Sequence, residues 1–311
     1  MKRLAFALGF VVMCLGYSSK AVAQYYFYDD SYYDNPVMFE LGASVGAMNC
    51  LTDVGGKAGI GKKFIKDLNY GETNSCVGGY LSMLYKNALG LRLEASFGKL
   101  SGDDNLLADV PVTDIARTRY NRQLNFQTSI TEFSGIVEMH PLFLFIDWES
   151  KDAEPPRYSP YLLGGIGYFS FNPQAKVGNK LIDLQPLSTE GQGLAEYPDR
   201  KVYKLKQVNF PVGAGFKYEL SSLVNLRGEF VYRILTTDYL DDVSTNYIDP
   251  SFYVNNGFSG TRLQNALLLN NRVINGQRAL PGNKRGSPTQ KDSYFSFNLK
   301  IGISIGRERI R

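Results

Sequence analysis

The stretch Leu89-Gly90-Leu91-Arg92-Leu93-Glu94-Ala95-Ser96-Phe97-Gly98-Lys99 alternates oily and polar or small side chains without a break. A β-strand sends successive side chains to opposite faces, so one face here is wholly apolar and the other carries an arginine and a glutamate. In a water-soluble sheet the apolar face is the interior. In a membrane barrel the same pattern is turned inside out, with lipid on the oily face and charge within. Strand length, strand number and loop lengths choose between the two.

The pattern recurs. Val37 to Met48 sets Phe39, Leu41, Ala43, Val45 and Ala47 against Glu40, Gly42, Ser44 and Gly46. Cys76 to Tyr85, Phe126 to Met139, Tyr161 to Phe171, Val208 to Tyr218, Leu226 to Ile234 and Phe295 to Ile305 bring the total to eight runs of about ten residues. That is the length of a tilted strand crossing a bilayer. Connections alternate between short or moderate (Lys86 to Ala88, Asp147 to Tyr158, Glu219 to Ser222) and long (to Ser75, Ser101 to Gln123, Asn172 to Lys204, Thr236 to Lys291). We therefore expect an all-β chain: a closed antiparallel eight-stranded transmembrane β-barrel with long extracellular loops, short periplasmic turns and both termini in the periplasm. Tyr85, Tyr161, Tyr168, Phe169, Tyr218, Tyr232 and Tyr294 fall near strand ends and read as interfacial girdles.

The N-terminus agrees with export. Met1-Lys2-Arg3, the apolar run Leu4 to Leu15 and the small-x-small triplet Ala21-Val22-Ala23 read as a signal peptide over 1–23. A periplasmic arm (24–36) and the barrel (37–311) follow. The formal charge of +4 includes Lys2, Arg3 and Lys20, and without them it falls to +1, so no nucleic-acid partner is indicated. Mean hydropathy of −0.21 is compatible with a barrel, where only every second strand residue meets lipid.

An eight-stranded barrel is just wide enough for side chains to fill. Glu40, Arg92, Glu94, Glu132, Glu138, Lys217, Arg227, Glu229, Arg233 and Lys300 point into it by parity, five acids against five bases. Unpaired, each would be costly; paired, they make a plug instead of a pore. Cys50 and Cys76 sit where a bridge would close the first long loop, worth roughly 3 kcal/mol. Two free thiols are the other reading, and spacing leaves both open. His140 is the only histidine, and no serine spacing suggests a triad; no cofactor or metal pattern is present. Asp238, Asp241 and Asp242 lack the calcium-loop pattern and read as solvated carboxylates. Lys57, Lys62, Lys63 and Lys66 read either as a solvated loop or as contacts to outer-leaflet lipid and lipopolysaccharide phosphates. Arg262 to Val273 has the spacing of a short amphipathic helix.

Several stretches resemble the outer-membrane barrel family of Bacteroidota to which PorG belongs. They are Glu40-Leu41-Gly42 with Gly46-Ala47-Met48-Asn49, Leu89 to Leu93 with Gly98-Lys99-Leu100-Ser101-Gly102, and Tyr158 to Leu162 with Gly165-Ile166-Gly167. Two loop segments carry the sharpest likeness: Leu184-Gln185-Pro186-Leu187-Ser188-Thr189-Glu190-Gly191-Gln192-Gly193 and Thr237-Asp238-Tyr239-Leu240-Asp241-Asp242-Val243-Ser244, with Arg285-Gly286 further on. The resemblance implies a small non-enzymatic barrel of the type IX protein secretion machinery, associated with a periplasmic ring of PorK- and PorN-type proteins. In gliding species that machinery also exports surface adhesins. The periplasmic elements, 25–36, 147–156, 219–222 and the basic tail 307–311, would be its contacts. A general envelope barrel, acting in membrane integrity or lipopolysaccharide binding, is the alternative.

Overall fold

The computed structural model describes residues 36–57, 70–145, 156–221, 223–274 and 278–305. The expected signal peptide, most of the arm, Lys62, Lys63, Lys66, the connection 147–155, Ser222 and the tail 307–311 lie outside the described residues. Ten strands form one sheet: β1 (Val37–Leu51), β2 (Asn74–Tyr85), β3 (Leu89–Asp103), β4 (Asn125–Met139), β5 (Tyr158–Ser170), β6 (Gln174–Val177), β7 (Lys180–Asp183), β8 (Lys206–Glu219), β9 (Val224–Leu235) and β10 (Ser293–Ile305).

Eight of them, β1 to β5 and β8 to β10, close on themselves. β1 pairs with β2 and β10, and the remaining neighbours are antiparallel around to β4, which pairs back onto β3. Closure leaves no free edge. The turn between β2 and β3 is tight, with Lys86 and Asn87 both at positive φ (50° and 52°), the geometry that follows strand twist in a two-residue hairpin.

Leu93, Phe133 and Leu299 are 66%, 59% and 70% exposed, and the outward positions around them are equally oily. Water would not stabilise such a surface on a free protein, since it makes a continuous apolar band around the sheet. Lipid does.

The eight barrel strands run 12 to 15 residues, longer than the pattern suggested. At about 3.3 Å per residue the longest exceed the roughly 25 Å apolar band of a membrane barrel. The excess lies at the long-loop end, where the interior changes character. There Met48, Leu100, Phe126, Ile130, Phe169 and Tyr294 are buried in an oily core continuous with loop residues Leu187, Leu240 and Tyr253. The inward face is thus not uniformly ionic. Ile136, Tyr161, Leu163 and Val231 form a further apolar patch within the barrel. Tyr161, Phe169 and Tyr294 are accordingly not girdle residues. Pairing of Tyr161 with Gly215 and of Tyr294 with Cys50 and Arg233 places them on the inner side of the sheet, while Tyr85, Tyr168 and Tyr218 stay exposed outside.

The stretch read as a plain loop after β5 holds the β6–β7 hairpin, attached to β4 through Gln127 and Gln174. The long connection after β3 contains a helix (Ala116–Arg122), and the last contains Ser251–Asn255 and Gly260–Asn270, the latter starting two residues before the expected helix. No helix among the described residues is long and apolar enough to cross a membrane.

Candidate functional site

Parity along the strands puts Glu40, Arg92, Glu94, Glu132, Glu138, Lys217, Arg227, Glu229, Arg233 and Lys300 inside the barrel, each 7% exposed or less. Eight of them form one connected lattice. Lys217 Nζ lies 3.1 Å from Glu40, whose other cation is Arg227 at 2.8 Å. Arg227 reaches Glu138 at 2.9 Å, and Glu138 meets Arg92 at 2.5 Å. Arg92 continues to Glu229 (2.7 Å) and Glu94 (3.0 Å), and Lys300 bridges those same two acids at 2.8 and 2.6 Å. Among these eight, four cations face four anions, and Glu219 adds a further buried acid 3.9 Å from Lys217 at the short-turn end; every charge thus has an opposite partner, the condition under which buried charge is tolerable.

Glu132 and Arg233 form a separate pair, 3.0 Å apart and nearer the long loops. Tyrosines complete both groups. Tyr80 OH donates to Glu40 at 2.5 Å, Tyr161 OH to Glu229 at 2.8 Å and Tyr294 OH to Glu132 at 2.8 Å. The Arg227 guanidinium also stands 5.3 Å from the Tyr80 ring and 5.6 Å from that of Tyr161, within cation–π range. Inward glycines supply the space: a methyl on Gly42 would run into the Tyr80 ring, and one on Gly215 into Tyr161.

Cys50 and Cys76 are free, buried thiols. In the β1–β2 register Cys76 lies opposite Gly46, four residues short of Cys50. That offset is about 13 Å at strand rise, well past the reach of a disulfide. Cys50 Sγ donates instead to the Ser101 carbonyl, and Cys76 Sγ to Asn298 Oδ1.

His140 does have a serine beside it. Its Nδ1 lies 2.8 Å from Ser159 Oγ and its Nε2 3.3 Å from Glu138, because residue 140 follows β4 and β5 runs alongside. All three side chains are buried, and the space next to them is about 10 Å³, closed by Phe143. No substrate fits there, so the trio is part of the interior packing. Among the described residues no group of His, Cys, Asp or Glu is placed to hold a metal ion.

The long loops close the other end. Glu190 is buried and accepts from Ser244 N (3.0 Å), Thr245 N (2.8 Å), Thr245 Oγ1 (2.7 Å) and the Arg285 guanidinium (3.0 Å). Thr189 Oγ1 donates to Asp242 at 2.5 Å, and Arg285 donates to the Asp242 carbonyl at 2.8 Å. The two resembling loop segments and Arg285-Gly286 therefore form a single bonded cap. Gln185 donates to the Tyr203 carbonyl, and the Pro186 carbonyl accepts from Arg262. Gly191 and Gly193 have φ of +80° and +78°, and a Cβ on Gly191 would stand 2.6 Å from the Tyr197 ring.

Asp241 and Asp242 are buried, contrary to the solvated reading, because each anchors backbone or hydroxyl groups. Asp241 accepts from Val54 N and Val243 N, Asp292 from Leu240 N, and Asp238 from Ser244 Oγ. Lys57 is exposed, and its carbonyl accepts from Arg119.

Burial pushes the Asp242 carboxyl up to about 6 and that of Asp238 up to about 7. Burial, and then neighbouring carboxylates, hold Asp241 and Asp292 well above the usual range. An acid whose folded value is raised binds its proton more tightly in the folded state. Its stabilising contribution is complete below about pH 4 and is lost as pH rises through 6 to 7. The cap is therefore expected to loosen between pH 5 and 8. Amide exchange at Leu240, Val243 and Ser244, corrected for intrinsic rate, should be faster at the higher pH.

A closed sheet that is oily all around its outside and ionic within is a transmembrane β-barrel. No family model matches the chain, and no curated protein matches it in sequence. Among solved structures it is similar to Neisserial surface protein A (7% identity, 86% of this chain and 99% of that one, TM-score 0.35). It is also similar to a major outer membrane protein of Thermus thermophilus (12% identity, 87% and 100% covered, TM-score 0.36) and to OprG of Pseudomonas aeruginosa (11%, 86% and 95%, TM-score 0.32).

Proposed function

We propose that this chain is a non-enzymatic barrel of the bacterial outer membrane that serves the type IX secretion apparatus by fixing a periplasmic ring of PorK- and PorN-type proteins to the membrane. The observation that carries the reading is the convergence of Glu190, Asp242, Ser244 and Arg285 in one cap. The loop segments that resemble the PorG-type family are built into the same structural unit. The filled lumen points the same way. A barrel plugged by paired charges and capped by its loops has no open path through itself, which supports docking over transport. The short-turn end, including Glu219 to Ser221, is the face turned to the periplasm.

Affinity purification of the full chain from detergent extract tests this. Reproducible recovery of PorK- and PorN-type proteins is expected. Their absence, with export of cargo unchanged in a deletion strain, replaces the reading with a general envelope barrel. In planar bilayers the purified protein is expected to show no steady large conductance, and a stable open level would contradict the filled lumen.

A further inference from the structure

Among the described residues, the charged side chains of the eight barrel strands point into the lumen with three exceptions: Lys99 and Asp103 on β3, and Lys206 on β8. The outer faces of the other six barrel strands carry no charge at all. Both lysines come at the same point in their strands. On β3 the outward row is apolar from Leu89 to Phe97, and Lys99 follows. On β8 it is oily from Tyr218 to Val208, and Lys206 follows. Each lysine is exposed, and among the described residues neither ammonium pairs with a carboxylate. Asp103 does not neutralise Lys99. It lies four residues further out, about 13 Å along the strand, and its carboxylate accepts from Asn105 N and Nδ2 at 2.9 Å.

The backbone registers join the two lysines across the sheet. Lys99 stands opposite Ser129, Thr131 lies two residues along the same strand opposite Ser170, and Ser170 stands opposite Lys206. The lysines thus flank three outward hydroxyls over three strand spacings, about 14 Å measured along the sheet. Among the described residues none of these hydroxyls has a hydrogen-bond partner. Next to them lies an aromatic floor. Phe97, opposite Thr131, meets Phe133 edge to face at 6.5 Å, and Phe133 stands opposite Tyr168, all three exposed. Rings in the hydrocarbon, hydroxyls and then ammonium groups therefore follow one another outward on this arc. That order fits an amphiphile whose acyl chains lead into an anionic headgroup. Two cations separated by hydroxyl donors match two separated phosphates joined by an oxygen-rich middle.

We propose that the outer face of β3, β4, β5 and β8 at the long-loop edge of the membrane binds a doubly phosphorylated glycolipid of the outer leaflet. Its phosphates would meet Lys99 and Lys206, and its sugar oxygens Ser129, Thr131 and Ser170. The inference rests on the orientation given above, with the short turns in the periplasm, and is independent of ring docking.

Titration of the full chain in detergent with doubly phosphorylated lipid A in mixed micelles is expected to give saturable binding. Lipid A with both phosphates removed should bind at least about tenfold more weakly. Lys99→Gln and Lys206→Gln should each weaken binding about fivefold, with unfolding unchanged because neither ammonium is bonded within the barrel. Lys180→Gln, beside the turn of the β6–β7 hairpin, removes the same charge away from the oily band and should change binding by less than about twofold. The inference is overturned if the dephosphorylated lipid binds as tightly, or if Lys180→Gln costs as much as Lys99→Gln, which leaves only general attraction of charge. Phosphatidylglycerol competing on equal terms would overturn it too, since the arc would then select any anionic lipid. Orientation is read separately: Lys180→Cys on intact cells should react with a membrane-impermeant maleimide. No labelling overturns the outer-leaflet assignment, even where lipid A binds. None of these readouts involves PorK- or PorN-type proteins, so failure of ring docking leaves them standing.

Discussion

Replacing Arg233 with methionine is expected to lower the unfolding free energy by about 3–5 kcal/mol. Among the described residues Arg233 is the sole cation paired with Glu132, and both are buried. Methionine fills much of the arginine stem's volume, so the loss comes chiefly from stranding a carboxylate. Tyr294 OH remains on Glu132 Oε2, while Oε1 has no partner even with Arg233 present. Arg227→Met should fall at the lower end of the same range, although Arg227 touches two acids. Glu138 keeps Arg92 at 2.5 Å, and Glu40 keeps Lys217 at 3.1 Å. Adding Glu132→Gln to Arg233→Met should restore at least half of the loss, since a neutral pair replaces an orphaned charge. Urea titration of the barrel in phospholipid vesicles, followed by the β-sheet circular dichroism signal, reads all three variants. A loss under about 1 kcal/mol for Arg233→Met would mean that water reaches Glu132, and the picture of a dry, filled lumen would fail.

That ordering of Arg233 over Arg227 depends on a distinction invisible to parity. Alternation in strands such as Leu89 to Lys99 was enough to place Arg92 and Glu94 inside, because a period of two has only two faces to choose from. It says nothing of which acid meets which base, since partners such as Arg227 and Glu40 lie 187 positions apart in the chain. Nor does parity tell the membrane zone from the part of the barrel beyond it. Phe169 and Tyr294 resemble girdle residues in sequence because an inward aromatic near a strand end looks the same as an outward one. Only closure of the sheet, with an apolar core under the loops, separates them. The Asp238 to Asp242 cluster misled for a related reason. Three acids in five residues suggest a solvated loop, yet a buried loop has backbone N–H groups to satisfy, and carboxylates are strong acceptors for them. Cys50 and Cys76 illustrate register: a chain-order argument brings strand ends together, whereas the pairing of Gly46 with Cys76 keeps the thiols apart.

The cap supplies the second large effect. Glu190→Ala removes the acceptor of two backbone N–H groups, one hydroxyl and one guanidinium, all inside the loop cluster. Its expected cost is about 3 kcal/mol, felt locally as opening of the cap, since the strand ladders do not pass through Glu190. Amide exchange at Ser244, Thr245 and Arg285 should then speed up by about a hundredfold, while that of β1 and β10 stays the same. Glu190→Gln, which keeps the shape and one acceptor oxygen but not the charge, should fall between wild type and Glu190→Ala. Ring recovery gives the variant its wider use. The cap closes the long-loop end, and the docking proposed above uses the short turns, so on that proposal an opened cap should leave recovery of PorK- and PorN-type partners intact. If Glu190→Ala lost the ring while β1 and β10 kept their protection, the two ends of the barrel would be coupled or the docking face wrongly assigned. In either case the cap would be a working part of the assembly and not merely its cover.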